Sequence, residues 1–83
     1  MITKELLDKC LKYLYKELFY DNVSYGIVNY KTFIFVTVYI WDKVIDYDTL
    51  LKSFTYNLVN KDDFNNMTKK IKDFINNNKQ LLC

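Results

Sequence analysis

Histidine, arginine, alanine and proline are all absent from this chain of 83 residues, and glycine occurs once. Without histidine, no Ser–His or Cys–His nucleophile pair can be assembled, and a zinc site would lack one of its usual ligands. Without arginine, the chain has no planar fork for bidentate contacts to bases or phosphates. A single glycine leaves no glycine-rich phosphate loop and no dinucleotide fingerprint. Cysteine occurs twice, at Cys10 and Cys83, far apart and outside any CxxC pair. Both read as free thiols in a reducing cytosol. No apolar run exceeds about ten residues, too short for a membrane-spanning helix, and Met1 leads straight into a charged helix rather than a signal peptide. The sequence therefore predicts a cytoplasmic chain without cofactor, metal site or membrane contact, and no enzyme.

What is present points to one folded domain spanning residues 1–83. Hydrophobic residues make up 51% and charged residues 27%, the balance of a chain that can bury a small core. Phe, Tyr, Met, Ile, Asn and Lys supply more than half of the residues. Their codons are rich in A and T, so an A/T-rich genome accounts for the many tyrosines. The net charge of +2 gives neither the concentrated basic field of a strong nucleic-acid binder nor an acidic mimic of nucleic acid.

The most informative stretch is Thr32 to Trp41, TFIFVTVYIW. Strand side chains alternate with period two. Ile34, Val36, Val38 and Ile40 thus share one face, and Phe33, Phe35, Thr37, Tyr39 and Trp41 share the other. Both faces are apolar, so the aromatic one requires a cover: a helix of the same chain, a second copy or a different protein.

Around this strand the pattern predicts an α+β fold: an N-terminal helix, an antiparallel hairpin and two C-terminal helices. The first helix spans Lys4 to Phe19, with Thr3 as N-cap, Ile2 and Leu7 at staple spacing, and Glu5 placed to pair with Lys9. Leu7, Cys10, Leu11, Leu14 and Leu18 form its apolar stripe. Asp21-Asn22 ends it. Val23 to Val28 is the first strand, with Gly26 marking a bulge or a close neighbour, and Asn29-Tyr30-Lys31 is the turn into Thr32–Trp41. Val44 and Ile45 are placed to extend the sheet as a short third strand. Asp46 or Asp48 caps the next helix, whose apolar side is Leu50, Leu51, Phe54 and Leu58. After Asn60 the last helix runs from Lys61 to Asn78, burying Phe64, Met67, Ile71, Phe74 and Ile75, with Asp62 and Asp63 favourably placed near its N-terminus.

Three constellations are candidates for recognition. Phe33, Phe35, Tyr39 and Trp41 form the aromatic row, either a second core layer or an interface to a foreign protein or a second copy. Asp42, Asp46 and Asp48 cluster beside Trp41, where they either serve helix capping or meet a basic partner. Lys9, Lys12 and Lys16, with Lys69, Lys70 and Lys72, form lysine stripes that are either solvated helix faces or contacts to nucleic acid. No nucleophile–base pair or metal-ligand spacing accompanies them.

The order of elements over Lys4–Phe19, Val23–Trp41 and Leu50–Asn78, on a tiny A/T-coded chain, resembles the small phage- or mobile-element-encoded inhibitors of bacterial defence, including anti-CRISPR proteins. The resemblance is one of layout and composition, with no motif. It implies a non-enzymatic inhibitor that occludes a host protein or nuclease complex, such as a CRISPR effector, by stoichiometric binding. The familiar Cas9-blocking members of that layout are strongly acidic and this chain is not, which favours an apolar or mixed contact over DNA mimicry. The alternatives are a small nucleic-acid-binding regulator using the lysine stripes, and a self-associating structural or virion-assembly protein using the aromatic row.

Overall fold

The computed structural model describes residues 2–43 and 48–82, the side chains of Lys43, Asp48 and Leu81 excepted. It shows an α+β chain in which a three-stranded antiparallel sheet is flanked in sequence by two principal helices. Helix α1 covers Lys4–Lys12. Strands β1 (Val23–Asn29), β2 (Ile34–Lys43) and β3 (Asp48–Leu58) follow, in the spatial order β1-β2-β3. Helix α2 covers Lys61–Asn77, and a short 3-10 turn at Lys79–Leu81 follows it.

The start of α1 is as the sequence predicts. The Thr3 Oγ1 accepts from the Leu6 N–H at 3.2 Å, satisfying one of the orphan donors of the first turn. Lys9 Nζ lies 3.9 Å from a Glu5 carboxylate oxygen one turn away. The helix does not continue as α-helix to Phe19. Tyr13–Glu17 is a π turn, closed by the Leu18 N–H donating to the Tyr13 carbonyl at 3.3 Å. The wider turn takes up one extra residue. Leu6, Cys10, Leu14 and Leu18 are the side chains buried on the inner side of this run, with Leu7 and Leu11 half-buried beside them.

The first strand runs one residue further than predicted, to Asn29, and the turn comes later. Asn29 pairs with Ile34, and the Tyr30 N–H donates to the Phe33 carbonyl at 2.9 Å. Residues 30–33 therefore make the turn, and β2 begins at Ile34 rather than Thr32.

The segment from Leu50 to Leu58 is not a helix. It belongs to β3, which pairs with β2 from Ile34↔Leu58 to Lys43↔Asp48, with an irregularity at Ile40/Trp41. Asp48 accordingly opens a strand and caps no helix. The apolar spacing 50, 54, 58 that suggested a helix is also a multiple of two, so it serves a strand equally. Within β3, Phe54, Tyr56 and Leu58 face inward with their partners Val38, Val36 and Ile34, while Ser53, Thr55 and Asn57 alternate outward. The third strand lies here; Val44 and Ile45, expected to form it, fall outside the described residues, as does Asp46.

Helix α2 starts on a capping box. The Asn60 Oδ1 accepts from the Asp63 N–H at 3.0 Å, and an Asp63 carboxylate oxygen accepts from the Val59 N–H at 2.8 Å and the Asn60 N–H at 3.4 Å. Only Val59 and Asn60 separate β3 from α2. The helix ends at Asn77, where the Asn78 side chain turns back to donate to the Phe74 carbonyl at 2.9 Å.

Both helices serve one face of the sheet. The core consists of Leu6, Cys10, Leu14 and Leu18 from the first helical run, Ile34, Val36 and Val38 from β2, Leu58 from β3, and Met67 and Ile71 from α2. This is a two-layer solution, with the helices burying the aliphatic side of a small sheet. Transfer of such side chains from water is worth about 1.5–3 kcal/mol each.

Candidate functional site

The sheet has a second face, and no described element packs on it. Its centre is the β2 row Phe35, Thr37, Tyr39 and Trp41, all half-buried. The register places shorter side chains on either side, all small or polar except Val28: Val28, Gly26 and Ser24 on β1, and Asn57, Thr55 and Ser53 on β3, opposite Phe35, Thr37 and Tyr39 respectively. These neighbours are exposed. The result is a raised aromatic ridge between two low shoulders, extended at the Trp41 end by its partner Leu50, which is 45% exposed.

The ridge is held in place by specific contacts. The Trp41 indole Nε1–H donates to Ser24 Oγ at 2.9 Å, which leaves the ring lying across β1. The Tyr39 and Trp41 rings are 6.1 Å apart and inclined at 41°, within the range of favourable aromatic pairs. Behind Trp41, buried Asn22 clamps the backbone: its Nδ2 donates to the Trp41 carbonyl, and the Trp41 N–H donates to the Asn22 carbonyl, both at 2.9 Å. A Cβ added at Gly26 would stand 3.0 Å from Thr37 Oγ1. The glycine thus marks the close neighbour that its position in a strand suggested, and it keeps the shoulder beside Thr37 low.

Phe33 does not join this row. It lies in the hairpin turn and stacks on Tyr30, with centroids 4.8 Å apart. Asp42 is on β2, exposed, opposite Thr49. Asp48 begins β3, and Asp46 is outside the described residues, so the structure places only part of the acidic trio beside Trp41.

The lysines divide differently. Lys9, Lys12 and Lys16 line one side of a groove between the two helices, floored by Tyr13 and Phe64. The groove continues past Glu17 and Thr68 to Lys69 and Lys72 on α2. The two stripes are therefore brought together. Lys70, though exposed on the same helix, does not line the groove. Tyr13 and Phe64 meet edge to face at 6.1 Å. Burial, with a contribution from Glu17, pushes the Tyr13 hydroxyl up to about 12, so it stays neutral and available as a donor.

Sequence reasoning missed Asn22 as a clamp, since it read Asp21-Asn22 only as a turn. The signal available was an amide directly before a strand whose partner carries the tryptophan. It also missed the joining of the lysine stripes through Tyr13 and Phe64, which depends on how α2 crosses α1.

Cys10 is fully buried among the helices, and burial raises its thiol from 9.0 to about 11. Among the described residues, no group of three His, Cys, Asp or Glu side chains is placed to hold a metal ion, and no helix is long and apolar enough to cross a membrane. Compared with protein-family models, curated proteins and solved structures, the chain matches none.

Proposed function

We propose that this chain acts by binding a protein through the open face of its sheet, as a non-enzymatic inhibitor encoded by a phage or mobile element. On this reading it blocks a bacterial defence complex, such as a CRISPR effector, by stoichiometric occlusion in the host cytoplasm. The observation that carries the reading is the ridge of Phe35, Tyr39 and Trp41, which no described element packs on. Aromatic rings held by fixed contacts lose little freedom on binding, and Trp and Tyr dominate binding energy where a partner desolvates them. The low shoulders on β1 and β3 give a partner access to both sides of the ridge.

The test is phage plating on a host carrying an active CRISPR system, with the wild-type chain and the Tyr39→Glu variant, paired with binding to the purified effector. Restored plating by the wild type and at least a tenfold loss of binding in Tyr39→Glu are expected; a hot-spot ring contributes about 2 kcal/mol or more. Full restriction in the presence of the wild-type chain would overturn the reading. Light scattering separates it from self-association, because the inhibitor is expected to be a monomer before it meets its target.

A further inference from the structure

We infer that the groove between α1 and α2 is a second binding site, which takes the phosphate backbone of a double-stranded nucleic acid. It lies on the helix layer, across the sheet from the aromatic ridge, and does not depend on what the ridge binds.

Lys9 and Lys12 from α1 and Lys16 from the π turn line one side of the groove. Lys69 and Lys72 face them from α2 across the Tyr13–Phe64 floor. The one carboxylate lining this groove is Glu17. Five lysines thus face one carboxylate in the lining of the groove, an excess of positive charge that the modest net charge of the chain does not show. Asp63 is engaged in the α2 capping box and Asp42 lies on the sheet, while Asp8 and Asp73, one helical turn from Lys12 and Lys69, do not line the groove. Glu5 meets Lys9 at 3.9 Å, an exposed pair of the kind that contributes little and yields readily to a denser anion.

Charge complementarity selects the occupant. Lysine ammonium groups are mobile point charges suited to phosphate oxygens, whereas reading base edges favours the arginine fork that this chain lacks. The rings of the floor are turned edge to face upon each other and offer no open stack for an unpaired base, as single-strand binders do. What remains is contact with phosphate and sugar alone, independent of sequence, for which a duplex with its bases already paired is the fitting partner.

Fluorescence anisotropy of a labelled 16-base-pair duplex, followed from 50 to 200 mM salt, tests this on the full chain. Binding at 50 mM that weakens about a hundredfold by 200 mM is expected for some four phosphate contacts. Lys12→Ala and Lys69→Ala should each reduce the salt slope by about one, and their charge reversals should weaken binding several-fold. Lys70→Glu, the same charge change one residue along α2 and outside the groove, should leave the slope unchanged. All three positions are exposed, and circular dichroism checks that each variant is folded. The inference is overturned by absence of binding at 50 mM, by equal effects of Lys69→Glu and Lys70→Glu, by tighter binding of the single strand than of the duplex, or by equal binding of poly-glutamate, which would assign the groove to an acidic protein.

Discussion

Ile34, Val36, Val38 and Ile40 are between 0% and 1% exposed, whereas Phe35, Tyr39 and Trp41, alternating with them along the same strand, stay half-buried beneath no described element. Composition does not separate the two sets, since both are apolar. Architecture does. Two helices at the ends of the chain reach the same side of the sheet, and the strand between them presents its larger rings to the other. On the inner face, side chains interlock with Met67, Ile71 and the α1 leucines. On the outer face, the rings are steadied by Ser24, Asn22 and one another. The first arrangement maintains the fold, and the second keeps a surface in a fixed shape.

The sharpest way to break this comparison is to truncate one side chain from each face. Ile34→Ala is expected to cost about 2–5 kcal/mol of unfolding free energy, because it leaves a cavity in a packed core. Tyr39→Ala should cost no more than about 1 kcal/mol, since it removes cross-strand contact from a surface. Urea denaturation measures both. Equal losses would mean that the outer face carries as much of the fold as the inner.

Asn22→Ala should come next, at about 1–3 kcal/mol, because it leaves the Trp41 carbonyl without its side-chain donor in a part-buried site. It should also blue- or red-shift tryptophan fluorescence, as Trp41 is the only indole. An unchanged spectrum together with unchanged stability would show that the clamp does not hold the ridge.

Gly26→Ala sharpens the comparison on the outer face itself. The added methyl meets Thr37 Oγ1 at 3.0 Å, so the substitution should destabilise in spite of the better strand propensity of alanine, by less than about 1 kcal/mol. In a Thr37→Ala background the same change should become neutral or stabilising. A double-mutant cycle with no coupling would remove the close approach from the account.

The smallest effect at neutral pH belongs to Cys10. Its thiol has a higher pKa folded than unfolded. The stability it contributes is therefore complete below about pH 9 and is lost as pH rises toward about 11. In a Cys83→Ser background, the denaturation midpoint should fall over that window, and less steeply for Cys10→Ala. Superimposable slopes would refute the linkage. Tyr13, raised from 10.0 to about 12 by burial, follows the same sign and is common to both curves.

Much of this arrangement was legible beforehand, for reasons that differ by element. The first turn of α1 and the start of α2 were readable because Thr3 and Asn60 are local caps, whose partners lie within three residues. The doubly apolar character of β2 was readable because alternation is a property of ten consecutive residues. The segment from Leu50 to Leu58 was misread because residues four apart share a face in a helix and in a strand alike. The deciding signal was Ser53, Thr55 and Asn57 interposed between Phe54, Tyr56 and Leu58, with aromatic and threonine content that suits a pleated surface. The π turn at Tyr13 had no such signal, since the leucines of this run keep a helical spacing through it. The same holds for the lysine groove: each stripe was visible, but only the crossing of two helices makes them neighbours.

The passage from β3 to α2 has a mechanical consequence. One carboxylate, that of Asp63, accepts from the two backbone amides that bridge strand and helix, so strand and helix are tied across a joint of two residues. A pull on the sheet edge is handed directly to the helix, and the pair should open to solvent together or not at all. Glycines inserted after Leu58 would part the two amides from that carboxylate and let the sheet open without the helix.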